Sequence, residues 1–548
     1  MDPLTLTLTI IGLIAVILIG YFQVVVPFVK GEVKFSRRWP FVVSVKGTTT
    51  EDTHLCGEEN LESYEMAEQQ REAVAVDLRT RDEGVESMKS IAVLPFADIS
   101  VQKDQEYFCD GVAEEIMNAL AKVDGLHVVA RTSAFAFKGK NEDVREVGRK
   151  LNVSTVLEGS VRKAGNKVRL TAQLISVDDG YHLWSETYDR ELTDIFAIQS
   201  DVAQQIAVAL KAQVSCAEKE RIEKRPTSNL EAYTFYLKGR YFWSKRTEEG
   251  LKKSIEYFNQ AIENDPDYAL AYVGLADSYS LLCSYHILPP NECIPRAKVA
   301  AAKARAIDDT LAEAYESTAH VRILYDWNWM DAEGEFSRAI ALNPGYAIAH
   351  QRYALYLTVM GRLDEATAEI RRAQMFDPLS LIINTDVGLI FLIARLYDQA
   401  IQQCRNTLEI DPDFCVARFA LGLAYEQKKM YEEAIAEFQQ AITLSGGSTV
   451  LMAALGHAYG ASGQKEEAQK VLGELRNLSK RRYVSPLSIA TIYAGLEEND
   501  EVFKWLKKAY EERSVWSIHL HLKVDPRFDG VCSDPRFTAL LRKMGFGD

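Results

Sequence analysis

Residues 410–446 read IDPDFCVARFALGLAYEQKKMYEEAIAEFQQAITLSG. Gly422, Tyr425, Ala434, Phe438, Ala441 and Gly446 mark small and bulky apolar positions on two helices joined by a charged turn. Small side chains let paired helices approach, and bulky ones fill the gaps between them. The unit recurs on both sides. Pro344, Pro378 and Pro412 are each 34 residues apart, and Gly446 takes the next slot. Upstream units are Gly388, Phe391, Ala400, Cys404, Thr407, Pro412; Ala354, Leu357, Ala366, Ile370, Ala373, Pro378; and His320, Ile323, Ala332, Phe336, Ala339, Pro344. Downstream stand Gly456, Tyr459, Ala468 and Leu472. A period near 34 in an alanine-rich helical stretch predicts helix–turn–helix units stacked into a solenoid. Such arrays hold other molecules and rarely do chemistry.

The pattern is similar to tetratricopeptide (TPR) repeats. The expected array covers 226–513 with about seven to eight helix pairs, starting after Arg225-Pro226. Its first unit holds Phe258, Ala261 and Pro266. The second, with Ala276, Tyr279, Ala297 and Ala304, is split by an insertion at His286–Asn291. An eighth pair is expected over Leu487–Arg513. Residues 514–548 carry a doubled Asp-Pro-Arg-Phe, at Asp525–Phe528 and Asp534–Phe537. They resemble the terminal segment that closes such arrays in bacterial proteins, which implies a cover for the last apolar face.

Residues 89–214 read differently. Ile91–Phe96 is a short apolar run stopped by proline, as in a buried strand, and Leu126–Ala130 is a second. Phe108, Val112, Ile116, Leu120 and Val123 recur at helical spacing, and Asp143–Leu151 predicts a second helix. Thr155–Arg162 and Lys167–Val177 flank Ala164-Gly165-Asn166 as a hairpin. Leu183–Arg190 reads as a further short strand, and Asp194–Val214 as a closing helix. This order predicts an α/β sandwich with helices on the sheet.

The run SIAVLPFADIS…EYFCDGVAEEIMNALAKVDGLHVVARTSAFAFKGK…DVREVGRKLNVSTVLEGSVRKAGNKVRLTAQLISVDDGYHLWSETYDRELTDIFAIQSDVA strongly resembles the TolB-N-like/FlgO-like domain. The resemblance implies a bacterial regulatory protein. Relatives join this domain to tetratricopeptide repeats, often after a class III nucleotide cyclase or a winged-helix module. Residues 1–88 are too short for a cyclase, so the resemblance carries no expectation of cyclase activity here.

Leu4–Val26 carries no charge over 23 residues, about 34 Å as a helix at roughly 1.5 Å per residue, enough to cross a bilayer. Asp2 and the lack of basic residues before it speak against a cleaved signal peptide. The expected arrangement is a bacterial inner-membrane, single-pass protein: a transmembrane anchor over 1–29, a partly disordered tether over 30–88, then the soluble domains. Lys30, Lys34, Arg37, Arg38 and Lys46 place those domains in the cytoplasm by the charge rule, with the periplasm as the alternative. The fold class is thus multidomain: a transmembrane helix, an α/β sandwich and an all-α solenoid.

A formal net charge of −15 argues against general nucleic-acid binding, which needs clustered Lys and Arg. The 8 cysteines show no CxxC pair and no zinc spacing, so neither a disulfide framework nor a metal centre is expected. Lys138-Gly139-Lys140 lacks the rest of a phosphate loop, and Thr132 and Ser133 lack a nucleophile elbow. Arg131, Thr132 and Ser133 follow a strand, where α/β sheets bind ligands. Glu186, Asp189 and Arg190 read as a local ion-pair network, and His519 and His521 as a structural pair rather than metal ligands. No catalytic residue and no cofactor are expected.

The repeat register puts Gln351, Leu355, Thr385, Leu389, Leu392, Phe419, Leu423 and Glu426 on the inner groove. These are the candidate site for a protein or peptide partner, taken by shape and a few hydrogen bonds. The same residues also read as inter-repeat core. The leading functional reading is a membrane-anchored protein-interaction scaffold. The alternative is a ligand-sensing regulator whose α/β domain signals to the repeats.

Overall fold

The computed structural model describes residues 89–210, 215–517 and 519–547. The anchor and the tether lie outside the described residues. No helix among the described residues is long and apolar enough to cross a membrane. The expectation of a single-pass membrane protein, with its transmembrane helix, is corrected on that finding.

The first domain holds a sheet of β1 (Lys89–Val93), β2 (Ala97–Asp98), β3 (Leu126–Val128), β4 (Thr155–Ala164), β5 (Lys167–Ser176) and β6 (His182–Glu191). Its order is β3-β1-β4-β5-β6, with β2 beside β4. β1 runs parallel to β3 and β4, with Ile91 opposite Val128 and Val93 opposite Leu157. β4, β5 and β6 are antiparallel. Strand alternation sends Ile91, Val93, Leu157 and Leu174 to one face and Ala92 and Val156 to the other. Helices Glu106–Leu120 and Ile195–Ala209 cover the first face, and Val144–Leu151 covers the second. β6 is longer than its sequence suggests, because it pairs with β5 along nearly the whole strand.

Eight helical hairpins follow among the described residues. Hairpin 1 is Leu230–Ser244 with Glu248–Asn264, hairpin 2 Ala269–Ser284 with Pro290–Ile307, and hairpin 3 Ala312–Val321 with Trp329–Leu342. Hairpin 4 is Ala347–Met360 with Leu363–Phe376, and hairpin 5 Leu381–Ile393 with Tyr397–Ile410. Hairpin 6 is Cys415–Gln427 with Tyr431–Leu444, hairpin 7 Thr449–Ala461 with Lys465–Leu478, and hairpin 8 Pro486–Gly495 with Asn499–Glu511. Hairpin 3 departs from the rest: its first helix runs into a π-helical turn at Arg322–Asp326.

The small residues of the repeat sit where helices touch. A Cβ on Gly495 would lie 2.4 Å from the His457 carbonyl oxygen and 2.8 Å from its Cα. Backbone meets backbone there, so no side chain can yield. Gly495→Ala is expected to destabilise the chain by about 1–3 kcal/mol, seen as a lower urea midpoint. An unchanged midpoint would mean that hairpins 7 and 8 do not cross this closely.

Two features reach beyond the repeat. One buried apolar cluster runs from Phe108, Val112 and Ile116 of the α/β domain into Tyr233, Leu237 and Phe258 of hairpin 1. The sheet domain and the start of the array therefore share a core. The chain after hairpin 8 also folds back along the array. β7 (Trp516–Ser517) pairs with β8 (Leu520–His521), and helix Pro535–Lys543 follows. His286 Nε2 donates to the Trp516 carbonyl at 3.0 Å, and Lys523 Nζ donates to the Val359 carbonyl at 2.8 Å. Trp329 Nε1 donates to the Met544 carbonyl at 2.7 Å, and Arg395 pairs with Asp529 at 2.8 Å. The closing segment thus touches hairpins 2 to 5 as well as the last apolar face.

Candidate functional site at the domain junction

The eight groove residues named from the register are all buried. Leu389, Leu392, Phe419 and Leu423 form one cluster with Leu520 of the closing segment, and the Arg527 guanidinium lies 5.7 Å from the Phe419 ring centroid. Thr385 Oγ1 bonds its own helix at Leu381, and Glu426 pairs with His457 at 2.8 Å. Gln351 Nε2 donates to Asp386, whose other oxygen takes His519 Nδ1 at 2.6 Å. Gln351 and Leu355 line the recess described next, and the other six do not line it.

That recess, about 530 Å³, is the site where three parts of the chain meet. The α/β domain contributes Arg131, Phe135 and Lys138; hairpin 1 contributes Tyr241 and Trp243 to Arg246. Hairpins 2 to 6 add Tyr285, His320, Ile348, Arg352 and Phe414, and the closing segment adds Trp516 and His519. The wall mixes aromatic and aliphatic side chains with many polar and charged ones, among them the carboxylates of Glu106, Asp110 and Asp377. A shallower shelf lies by Phe96 and Gly139 at the sheet edge, and a smaller recess of about 280 Å³ lies between Lys122 and Asp308. Neither involves the closing segment.

Most charges around the recess are already matched. Lys138 bonds Asp110 at 2.6 Å and Glu106 at 2.7 Å, so the Lys138-Gly139-Lys140 run serves an ion-pair network. Arg131 Nε lies 3.0 Å from Glu114, which also pairs with Arg240 of hairpin 1 at 2.6 Å. Arg352 pairs with the buried Glu316. Burial drives the His320 imidazole well below its ordinary value, so it is neutral. Its Nδ1 is buried without a hydrogen-bond partner.

Arg131, Thr132 and Ser133 do follow β3, but the array covers them. They open a short helix, Arg131–Phe135, docked on the turn that carries the repeat's Pro378. Ala130 N–H donates to the Phe376 carbonyl at 2.8 Å, Ser133 N–H donates to Asp377 at 2.9 Å, and Leu379 N–H donates to Ser133 Oγ at 2.7 Å. Burial pushes the Asp377 carboxyl up to about 6 against these accepted bonds. A folded value above the ordinary 3.8 means the folded state holds this proton while the unfolded chain has lost it. This group then favours folding fully below about pH 4, and that contribution, on the order of 3 kcal/mol, is lost as pH rises through about 6. Asp377→Asn keeps an acceptor and removes the titration. Its stability relative to the parent is expected to rise between pH 4 and 7, read as the difference in urea midpoints; a pH-independent difference would contradict the burial of the carboxylate.

The remaining candidates are structural. The Asp189 carboxylate pairs across the strands with Arg169, at 2.7 and 2.9 Å, and Arg190 Nη1 donates to the Asp189 carbonyl at 3.1 Å. His521 Nδ1 accepts from Lys523 N–H at 3.1 Å, and the ring packs among Trp329, Trp516 and Phe546. No group of three or more metal-binding side chains occurs among the described residues.

Two family models match parts of the chain. A model for the HilA/YgeH-like transcriptional regulator, second domain, matches residues 87–205, and a tetratricopeptide repeat model matches 415–448. The C-terminal array carries TPR repeats. The first domain is HilA-like by that match, which does not extend to the TolB-N-like/FlgO-like assignment. A Rhizobium meliloti (strain 1021) protein named putative adenylate cyclase 3 is 43% identical over 187 residues, covering 34% of this chain and 32% of that one. The chain thus spans about a third of the length of the curated relative it matches. Among solved structures, YrrB, described as a TPR protein with an unusual peptide-binding site, is 23% identical over 35% of this chain and 94% of its own, at a TM-score of 0.25. Pseudomonas aeruginosa PilF is 18% identical over 42% of this chain and 98% of its own, at 0.31, and the human IFIT1 dimer 14% over 57% and 85%, at 0.38. Overlaps this partial say nothing about function.

Sequence reading missed Arg246, Trp243 and Tyr285. They lie on the first two hairpins, where the repeat is loosest. One signal was present: His320 fills the slot that Ala354, Gly388, Gly422 and Gly456 hold in later repeats, and the π-turn follows it directly.

Proposed function

We propose that this chain is a non-catalytic, ligand-responsive interaction module. TPR repeats imply protein or peptide partners. The finer reading rests on one observation: the recess is lined jointly by the α/β domain, the array and the closing segment. A molecule bound there touches all three and shifts the balance between their docked and loosened arrangements by its differential affinity for the two. The HilA-like match and the cyclase-named relative are consistent with a regulatory role. The burial of Phe419 and Leu423 beneath the closing segment speaks for a partner surface other than the mid-array groove while the segment is in place.

The test is native mass spectrometry of the full chain after exposure to a bacterial metabolite extract. The expected result is a retained small molecule, released unchanged on denaturation and lost in Ile348→Trp, which fills the recess. No adduct, an adduct indifferent to Ile348→Trp, or chemical conversion of the bound molecule would overturn the reading.

A further inference from the structure

We propose that the junction recess takes a small organic anion with an aromatic or apolar body, its charged end held by Arg246 and Lys245. This deepens the ligand-responsive reading and rests on it.

The argument starts from which cations are left over. Arg131, Lys138 and Arg352 each have a carboxylate at bonding distance. Arg246 and Lys245 have none at bonding distance among the described residues, although the charge of Lys245 still acts on Glu106 and that of Asp277 on Arg246. Their contacts are rings instead. The Arg246 guanidinium lies 3.9 Å from the Trp243 ring centroid, and Lys245 Nζ lies 4.4 Å from that of Tyr241. Both side chains reach solvent and line the recess, but the surrounding wall strips water from the Arg246 guanidinium and works against its charge. A guanidinium laid on an aromatic face keeps its donor edge free and its position fixed, which suits it to a carboxylate or phosphate. The rest of the wall, including Phe135, Tyr285, Phe414 and Trp516, offers apolar surface for a ring or chain.

A second observation points to the same place. Hairpin 3 breaks the repeat where it faces the recess. His320 stands in the small-residue slot, the helix turns π at Arg322–Asp326, and Ile323 and Leu324 of that turn also line the recess. Departures from a repeat's own rule, and π-turns in particular, gather at functional sites. A neutral His320 with an unpartnered Nδ1 adds a polar group that reads the body of a ligand without competing for its charge. A polyanion is disfavoured by the chain's net charge of −15, whereas one small anion needs only this local pair of cations. The volume of about 530 Å³ fits a single drug-sized molecule.

The experiment titrates the full chain by calorimetry with three isosteric probes: 2-naphthoate, 2-naphthamide and 2-naphthylmethylammonium. Naphthoate is expected to bind at least about tenfold tighter than the amide, as one charge-assisted contact supplies. The advantage should shrink as salt rises. Arg246→Glu should abolish it, Arg246→Lys should keep part of it, and Arg145→Glu on the distant surface should leave it intact. Arg246 packs on the buried Trp243 ring, so the melting temperature of Arg246→Glu is measured beside the parent; if it falls, the salt dependence and the probe series on the unaltered chain still decide. Equal binding of amide and naphthoate, or preference for the ammonium probe, would overturn the anion assignment and leave the recess a ligand site. Binding of none of the three, together with no adduct from the extract, would overturn both.

Discussion

Glu114→Ala is expected to destabilise the folded chain by about 3–5 kcal/mol, the range for removing one partner of a buried ion pair. Glu114 lies on the helix Glu106–Leu120, is nearly buried, and meets two guanidiniums: Arg131 at 3.0 Å and Arg240 at 2.6 Å. Arg131 belongs to the α/β domain and Arg240 to hairpin 1, so one carboxylate ties the two parts. Burial works to raise its titration; Arg240 and Arg131 outweigh that and hold it below the usual carboxylate range. A depressed value means the contribution is present at neutral pH and lost on acidification through the folded value. In the variant Arg240 stays beside an apolar core without its carboxylate, and Arg131 keeps only the more distant Asp110, at 3.9 Å. Urea unfolding followed by tryptophan fluorescence measures the loss. A double-mutant cycle with Arg240→Ala should show the two costs well short of additive. A Glu114→Ala midpoint within experimental error of the parent would mean the domains do not dock through this residue.

Leu520→Ala is expected to cost about 2–5 kcal/mol locally, as for other buried leucines, and Leu520→Asp more. Leu520 is fully buried and packs with Leu389, Phe419 and Leu423 on the inner face of the array. Loosening it frees the closing segment and uncovers the mid-array groove. The readout is chemical. Cys404 belongs to the same cluster, and burial pushes its thiol up to about 12. Its alkylation by N-ethylmaleimide should therefore be slow in the parent and fast in Leu520→Asp, while Cys109, buried in the α/β domain, stays slow in both. Equal Cys404 rates would show that the segment does not seal the groove.

Local rules made much of this fold readable. The 34-residue spacing of Pro344, Pro378 and Pro412 and the small residues at Gly388, Gly422 and Gly456 announce hairpins because close helix packing demands small side chains at fixed positions. Strand alternation in Val168, Leu170, Ala172 and Leu174 likewise records one buried face of a sheet. What escaped depends on contacts between residues far apart in sequence. Nothing in Leu423 says whether a peptide or the chain's own Leu520 will cover it, since both ask for the same apolar surface. Asp377 reads as the residue before a repeat proline, yet it accepts the Ser133 N–H from another domain. Arg131 to Ser133 stood where α/β sheets bind ligands, and the array came to lie on that end. Arg246 gives no local signal: its meaning comes from lying on the Trp243 ring with no carboxylate at bonding distance among the described residues, which only the assembled recess displays.

The account stands on the α/β domain being clamped to the array around the recess. Ser133→Cys/Asp377→Cys in the full chain tests this directly. Ser133 and Asp377 are in hydrogen-bond contact, with Ser133 N–H 2.9 Å from Asp377 Oδ1. A short bismaleimide, which spans more than a disulfide does, should therefore link the two cysteines, found by peptide mapping as a bridge between the segments bearing positions 133 and 377. Two separately modified cysteines, at every reagent level that leaves the protein folded, would show the two parts of the chain apart and would contradict the account.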